Sequence, residues 1–298
     1  MKTRYINPYT DFGFKKLFGE EANKDLLIDF LNAVLPEKNR ISYLEFRNPE
    51  QLPDSIFDRK AIFDIACVGV NGESFTVEMQ KSTQRYFKDR ALFYLSYPVQ
   101  RQAQKGDWDF KLNPVFLVAV LNFSYDEQEE RRKIHRHVML KDQDGDVFSE
   151  TLQMIFLQMP LFTLEESELR TPKDKWLFFL KNLEKLDDIP DILQEPVFKK
   201  AFETAEYLRY PSSMQEAYQE NLKVYLDNQA VIKTAVLDGY NEGKTDGKLE
   251  GLVEGESKGR LIEKNQIAKN MKISGFDPVS ISKVTGLLLS EIEQMDSN

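Results

Sequence analysis

The stretch Ala61–Gln80 constrains the fold more than any other part of the chain. Two apolar segments, Ala61-Ile62-Phe63-Asp64-Ile65-Ala66-Cys67-Val68 and Ser74-Phe75-Thr76-Val77-Glu78-Met79-Gln80, meet at Asn71-Gly72. The second segment alternates. Ser74, Thr76, Glu78 and Gln80 fall on one side, and Phe75, Val77 and Met79 on the other. That is the period-2 signature of a half-buried strand. The pair reads as a β-hairpin with acidic groups beside an apolar core.

The length of the turn decides whether Asp64 and Glu78 meet. A two-residue turn at Asn71-Gly72 pairs Val70 with Glu73 and sets Asp64 opposite Met79, so the carboxylates point to opposite faces. A three-residue loop, Val70-Asn71-Gly72, puts Gly72 at the left-handed position such loops favour. Gly69 then pairs with Glu73, and Asp64 lies opposite Glu78 with Cβ atoms roughly 5 Å apart. Like charges directly opposite destabilise a sheet, and a divalent cation between them would compensate. Oxygen ligands with open positions suit Mg²⁺ or Mn²⁺. The plainer alternative is two ordinary edge-strand acids.

Composition excludes several classes. With 298 residues and 41% apolar content, the chain is long enough for two or three domains with a packed core. Its single cysteine, Cys67, rules out a disulfide framework and fits a reducing compartment. No leader segment and no bilayer-length apolar run is visible, so no membrane association is expected and a soluble cytoplasmic protein is. The net charge of −9 argues against a simple electrostatic nucleic-acid binder. The charge is uneven, however. Residues 1–125 carry 17 Lys+Arg against 16 Asp+Glu, and the remainder carries 23 against 33. Any DNA surface belongs to the first 125 residues.

Helical spacing covers 11–35, where Asp11 can cap a turn closed by Gly19, and Asn23 can cap a second helix ended by Pro36. Ile41–Phe46 is a short strand candidate and Gln51–Asp58 a loop. Residues 84–104 form a helix that Pro98 should kink or break. Val115–Phe123 is a continuous apolar run, the mark of a strand buried on both faces. The order α-β-β-β-α-β predicts an α/β (α+β) core with a mixed sheet. Lys133–Leu140 and Val147–Met159 read as two more strands joined by a polar turn at Asp142–Asp146. His135 and His137, the only histidines, share one strand face, and two ligands do not make a zinc site.

The C-terminal region is helical in pattern. Gly239, Gly243, Gly247, Gly251, Gly255 and Gly259 recur every four residues. Each helical glycine costs about 1 kcal/mol relative to alanine, so six cost roughly 6 kcal/mol. The segment is therefore either a flexible linker or a long helix that self-associates. Residues 266–298 suggest short helices with helix-turn-helix spacing. Their last segment, Leu287–Asn298, has acids and no Lys or Arg, which favours an interaction module over a DNA reader.

Together these segments resemble the Rpn family of recombination-promoting nucleases and transposases, within the PD-(D/E)XK nuclease superfamily. The likeness is carried by Asp11-Phe12-Gly13-Phe14-Lys15-Lys16-Leu17-Phe18-Gly19, by Asp64 in Phe-Asp-Ile, and by Val77-Glu78-Met79-Gln80. It continues in Arg90-Ala91-Leu92-Phe93-Tyr94, in Lys175-Trp176-Leu177, and in the glycine segment followed by Ile281–Leu287. Asp64 matches the superfamily's metal-binding Asp and Glu78 its (D/E). Gln80 stands where the superfamily usually has Lys.

The resemblance implies a restriction-endonuclease-like core over residues 1–160, a helical extension over 161–232, the glycine segment over 233–265 and a small helical module over 266–298. It also implies Mg²⁺- or Mn²⁺-dependent hydrolysis of DNA phosphodiesters. Asp64, Glu78 and the Met79 carbonyl would hold the metal. Gln80 would orient a water. Asp11 would be either a further acid near the metal or a helix cap. Lys15, Lys81, Arg85 and Arg90 would grip phosphates. The glycine region would make a homo-oligomer. The competing expectation is a nuclease-fold protein without catalysis that serves assembly, which the missing lysine and the sequence pI near 5.1 favour.

Overall fold

The computed structural model describes residues 3–48, 50–51, 61–62, 64–83, 85–104, 106–125, 130 and 132–295. The expected loop over 51–58 lies almost wholly outside the described residues.

Helix α1 (Asp11–Phe18) starts at Thr10, whose Oγ1 accepts the Gly13 N–H at 2.9 Å. The cap is therefore Thr10 and not Asp11. Thr10 Oγ1 also donates to the Asn7 carbonyl at 2.7 Å. A Cβ on Gly13 would stand 2.2 Å from that same carbonyl oxygen, so only glycine fits. Helix α2 (Lys24–Val34) follows; Asn23 makes no side-chain cap and instead donates to the Lys16 carbonyl. Strand β1 (Leu44–Arg47), the short pair β2 (Glu50–Gln51) and β3 (Ala61–Ile62), β4 (Ile65–Gly69) and β5 (Ser74–Gln80) lead to helix α3 (Phe87–Gln100), which continues past Pro98. Then come β6 (Val115–Leu121), β7 (His135–Lys141) and β8 (Val147–Gln158). Between β7 and β8, Asp142 Oδ1 accepts the N–H groups of Asp144 and Asp146 in a polar turn.

The main sheet has six strands in the order β1-β4-β5-β6-β8-β7. Strand β6 runs parallel to both neighbours, and β1, β4 and β7 are antiparallel to theirs. The sheet is mixed, as the element order implies. One expectation fails: β5 is not half-buried. Every residue from Phe75 to Gln80 is buried, because β5 is an inner strand and α3 covers the face bearing its polar side chains.

Each face of the sheet has its own core. Phe75, Val77, Met79, Phe116, Val118, Val120, Ile155 and Leu157 meet α1, α2, α4 (Pro172–Asn182) and α5 (Pro196–Ala205). Trp176 packs there against Phe18, Phe30 and Phe198, and its Nε1 donates to Asp29 at 2.7 Å. On the other face, Phe87, Ala91 and Leu95 of α3 cover Val115, Leu117, Ala119 and Leu121. Helix α6 (Ser212–Ile273) begins inside the first core, where Tyr218 Oη accepts the Asn7 N–H at 2.8 Å.

The chain divides into two compact units, Met1–Tyr225 and Leu226–Asn298. The second contains the rest of α6, α7 (Pro278–Thr285) and α8 (Leu289–Gln294), gathered on Ala268, Ile281, Leu287 and Ile292. Asp277 caps α7, and Gly286 ends it in the left-handed conformation. Lys272 Nζ donates to the carbonyls of Ile292 and Met295 at the end of α8. The six periodic glycines are all helical, and a Cβ on any of them would meet nothing within 4 Å. Among the described residues no helix is long and apolar enough to cross a membrane.

Candidate active site

The hairpin turn takes the three-residue form. Gly69 N–H donates to the Glu73 carbonyl at 2.8 Å, and Gly72 has φ of 85°. The carboxylate of Glu73 accepts the backbone and side-chain N–H groups of Asn71, which braces the loop. The ladder pairs Ala66 with Thr76 and Ile65 with Val77. The ladder ends there; Asp64 stands in the bend just before β4, close enough to Glu78 for its charge to act on that carboxyl.

Asp64 is held in place by β5 itself. Its Oδ2 accepts the Met79 N–H at 2.8 Å. Both main-chain groups of a strand residue face the same neighbour, so the Met79 carbonyl also looks toward Asp64. Glu78 is only 4% exposed. Its Oε2 accepts Gln80 Nε2 at 2.7 Å, while its Oε1 is buried with no hydrogen-bond partner. Burial, then the Asp64 charge, pushes the Glu78 carboxyl up to about 7, against the opposing pull of Gln80 and Arg90. Burial also raises Asp64, partly offset by the Met79 hydrogen bond; the Asp11 charge adds to the rise and Lys15 and Lys81 reduce it.

The surrounding charges are arranged unevenly. Asp11, relieved of capping by Thr10, lies with Lys15 and Asp64 on a cleft of about 500 Å³. Lys15 Nζ pairs with Asp11 at 3.3 Å. Arg90 Nε donates to Tyr94 Oη at 2.9 Å, with the guanidinium 4.9 Å from that ring's centre. Arg85 is exposed over the ring of Tyr86 and has no described link to the acids. Asp64, Glu78, Met79, Gln80, Asp11, Lys15, Lys81 and Arg90 thus share one region. Sequence reasoning missed Arg47 and Asn221, which also line the cleft. Arg47 arrives through the Arg47–Ala66 pairing, and Asn221 through α6, where its Oδ1 accepts the Phe12 N–H. Neither contact leaves a local sequence signal.

Among the described residues no group of three or more His, Cys, Asp or Glu side chains is placed to hold a metal ion. The donors at hand are two carboxylates and a main-chain carbonyl. They fit a hard divalent cation: all are oxygens, the Asp64 charge acts on the Glu78 carboxyl, and Glu78 Oε1 is an unsatisfied buried acceptor.

A mixed sheet flanked by helices, with a Glu on one inner strand and an Asp just before the neighbouring one, defines an α/β protein of the nuclease-fold class. More narrowly, the chain belongs to the PD-(D/E)XK nuclease family transposases, whose family model matches residues 8–235. Neither a curated protein nor a solved structure matches it.

Proposed function

We propose that the protein is a Mg²⁺- or Mn²⁺-dependent DNA endonuclease, hydrolysing phosphodiester bonds at Asp64 and Glu78. The carrying observation is the buried Glu78 carboxylate with one oxygen unpartnered, near enough to a second carboxylate, Asp64, to be raised by its charge. Family membership supports the same reading. Asp64, Glu78 and the Met79 carbonyl would hold the ion, which supplies charge neutralisation and a lowered water pKa when bound. The Met79 N–H keeps Asp64 turned toward Glu78. Gln80 holds Glu78 Oε2 with one amide hydrogen, which leaves Oε1 as the free acceptor. The amide oxygen of Gln80 remains to accept a hydrogen bond from an attacking water and so to orient it. Being neutral, Gln80 leaves charge stabilisation to the ion and to Arg90. Lys15 and Lys81 would contact phosphates beside the site.

The test is supercoiled plasmid incubated with Mg²⁺, Mn²⁺ or EDTA, beside Asp64→Ala and Glu78→Ala. Metal-dependent nicking should fall about 100- to 1000-fold in each variant, the scale of losing a transition-state charge partner. Nicking equal to wild type in either variant, or none by wild type with any metal, ends the reading.

We also propose that the chain self-associates through the glycine face of α6, the assembly role that competes with catalysis. Five of the six residues preceding these glycines are acidic, and three of the six following are basic. At 100° per residue these positions flank the stripe on opposite sides. Parallel pairing of two copies sets the acidic flank of one against the basic flank of the other, whereas antiparallel pairing opposes like flanks. Sedimentation equilibrium of Gly243→Ala/Gly247→Ala/Gly251→Ala tests this. Alanine favours the helix by about 1 kcal/mol per site but fills the face. Higher helicity with weaker association is expected, and unchanged association defeats the proposal.

A further inference from the structure

A second cleft, of about 460 Å³, adjoins the first at Arg47 and Ala66, which line both. Ala66, Val68, Ser74 and Thr76 lie along it, on the same side of the sheet as Asp64 and Glu78 by strand alternation. At about 3.4 Å per residue, Thr76 is roughly 7 Å and Ser74 roughly 14 Å along β5 from Glu78. The cleft therefore continues the acidic centre toward the hairpin loop.

The two clefts differ in charge. The first is lined by the acids Asp11, Glu20 and Asp64 together with the bases Lys15, Lys16 and Arg47, so its charges offset, whereas the second, among the described residues, is lined by Arg47 and Arg101 and by no acid. Arg101 is exposed at the end of α3, its N–H bonded to the Tyr97 carbonyl. Arg47 reaches Glu45 only at 3.4 Å, with both side chains more than half exposed. Such a solvated pair contributes little and is readily exchanged for a phosphate. The far wall is rigid. Gln102 and Asn113 hold each other through two hydrogen bonds, and Asn113 packs so closely on Gly72 that a Cβ there would stand 2.5 Å from its Nδ2.

We propose that this second cleft is a phosphate groove in which Arg47 and Arg101 grip the DNA backbone on one side of the bond to be cut. The proposal rests on the endonuclease reading for its substrate and adds the path of the strand: from the acids, along β4 and β5, toward the Val70–Gly72 loop. A structural role for Arg101, complementing the C-terminal dipole of α3, predicts a small stability change and no change in binding.

The test is fluorescence anisotropy of a fluorescein-labelled DNA duplex with the full-length protein in EDTA, over a series of salt concentrations. Arg47→Gln/Arg101→Gln should bind at least tenfold more weakly. Its plot of log affinity against log salt should be shallower by about 1.8, or 0.9 per lost phosphate contact. Arg47→Lys/Arg101→Lys should keep the slope, and Lys199→Gln, an exposed site on α5, should match wild type. Thermal melts of each variant exclude misfolding. Wild-type affinity and slope in the double Gln variant overturn the groove, as does a wild-type protein that binds no DNA. Plasmid nicking on the same samples separates the two readings. Binding without nicking sinks the endonuclease and leaves the groove. Nicking that is lost in Asp64→Asn but unaltered in the double Gln variant, with unaltered binding, sinks the groove alone.

Discussion

The two faces of β5 and β6 are built from alternating residues of the same strands, yet they do opposite things. Facing α1, α2, α4 and α5 are Phe75, Val77, Met79, Phe116, Val118 and Val120, packed into an aromatic core. Facing α3, β5 presents Ser74, Thr76, Glu78 and Gln80, opposite Val115, Leu117, Ala119 and Leu121. A buried carboxylate with an unpartnered oxygen costs free energy. The closed face supplies the surplus that tolerates it. It also fixes the register, since a one-residue slip would exchange the two sets.

That division of labour predicts where substitution hurts most. Phe116 is fully buried and stacks on Phe75 with ring centres 5.0 Å apart. Phe116→Ala should cost about 3–5 kcal/mol of stability, the range for losing a buried aromatic, read as a lower urea midpoint. A loss under 1 kcal/mol would mean that this face does not carry the surplus.

The acidic face should behave in the reverse sense. Removing the charge of Glu78 removes a buried liability, so Glu78→Gln should be at least as stable as wild type in EDTA at pH 8. Magnesium should then stabilise wild type alone. At a concentration 100-fold above its dissociation constant, the gain is about 2.7 kcal/mol, or about 5 °C or more in melting temperature. Equal magnesium shifts in wild type and Glu78→Gln would break the assignment of Glu78 as a ligand without any reference to activity.

Much of this was legible in the sequence, for physical reasons. The hairpin and its two possible registers follow from local chemistry, since Asn71-Gly72 suits either loop length; the Gly69–Glu73 bond selects the longer one. The apolar run Val115–Leu121 announced a strand covered on both sides. Other features were not legible. Strand β5 reads as half-buried because its polar residues sit under α3, a tertiary fact. Thr10, not Asp11, caps α1, a choice between adjacent capping types that spacing does not settle. Arg47 and Arg101 reach one cleft only because β1 pairs with β4 and α3 ends above it.

The closed face also carries one exception, which sharpens the comparison. His135 pairs with Leu157 across the β7–β8 ladder, and its Nε2 is buried without a hydrogen-bond partner. Burial, reinforced by Lys173 and His137 and opposed by a hydrogen bond at the Val34 backbone, pushes its pKa down to about 4, from an ordinary value of 6.5. The folded state therefore holds the neutral ring where the unfolded chain takes up a proton. Stability from this group is complete above pH 6.5, is lost as pH falls toward 4, and changes no further below that. The ring is partly exposed, so the loss is on the order of 1 kcal/mol. His135→Leu should remove that part of the acid sensitivity. Carboxylates titrate in the same window, so the quantity to measure is the difference in unfolding free energy between variant and wild type at pH 7.5 and at pH 4.5. That difference should move in the variant's favour at the lower pH. If it is the same at both, the ring is not held neutral by the apolar face, and the contrast between the two faces loses its one internal check.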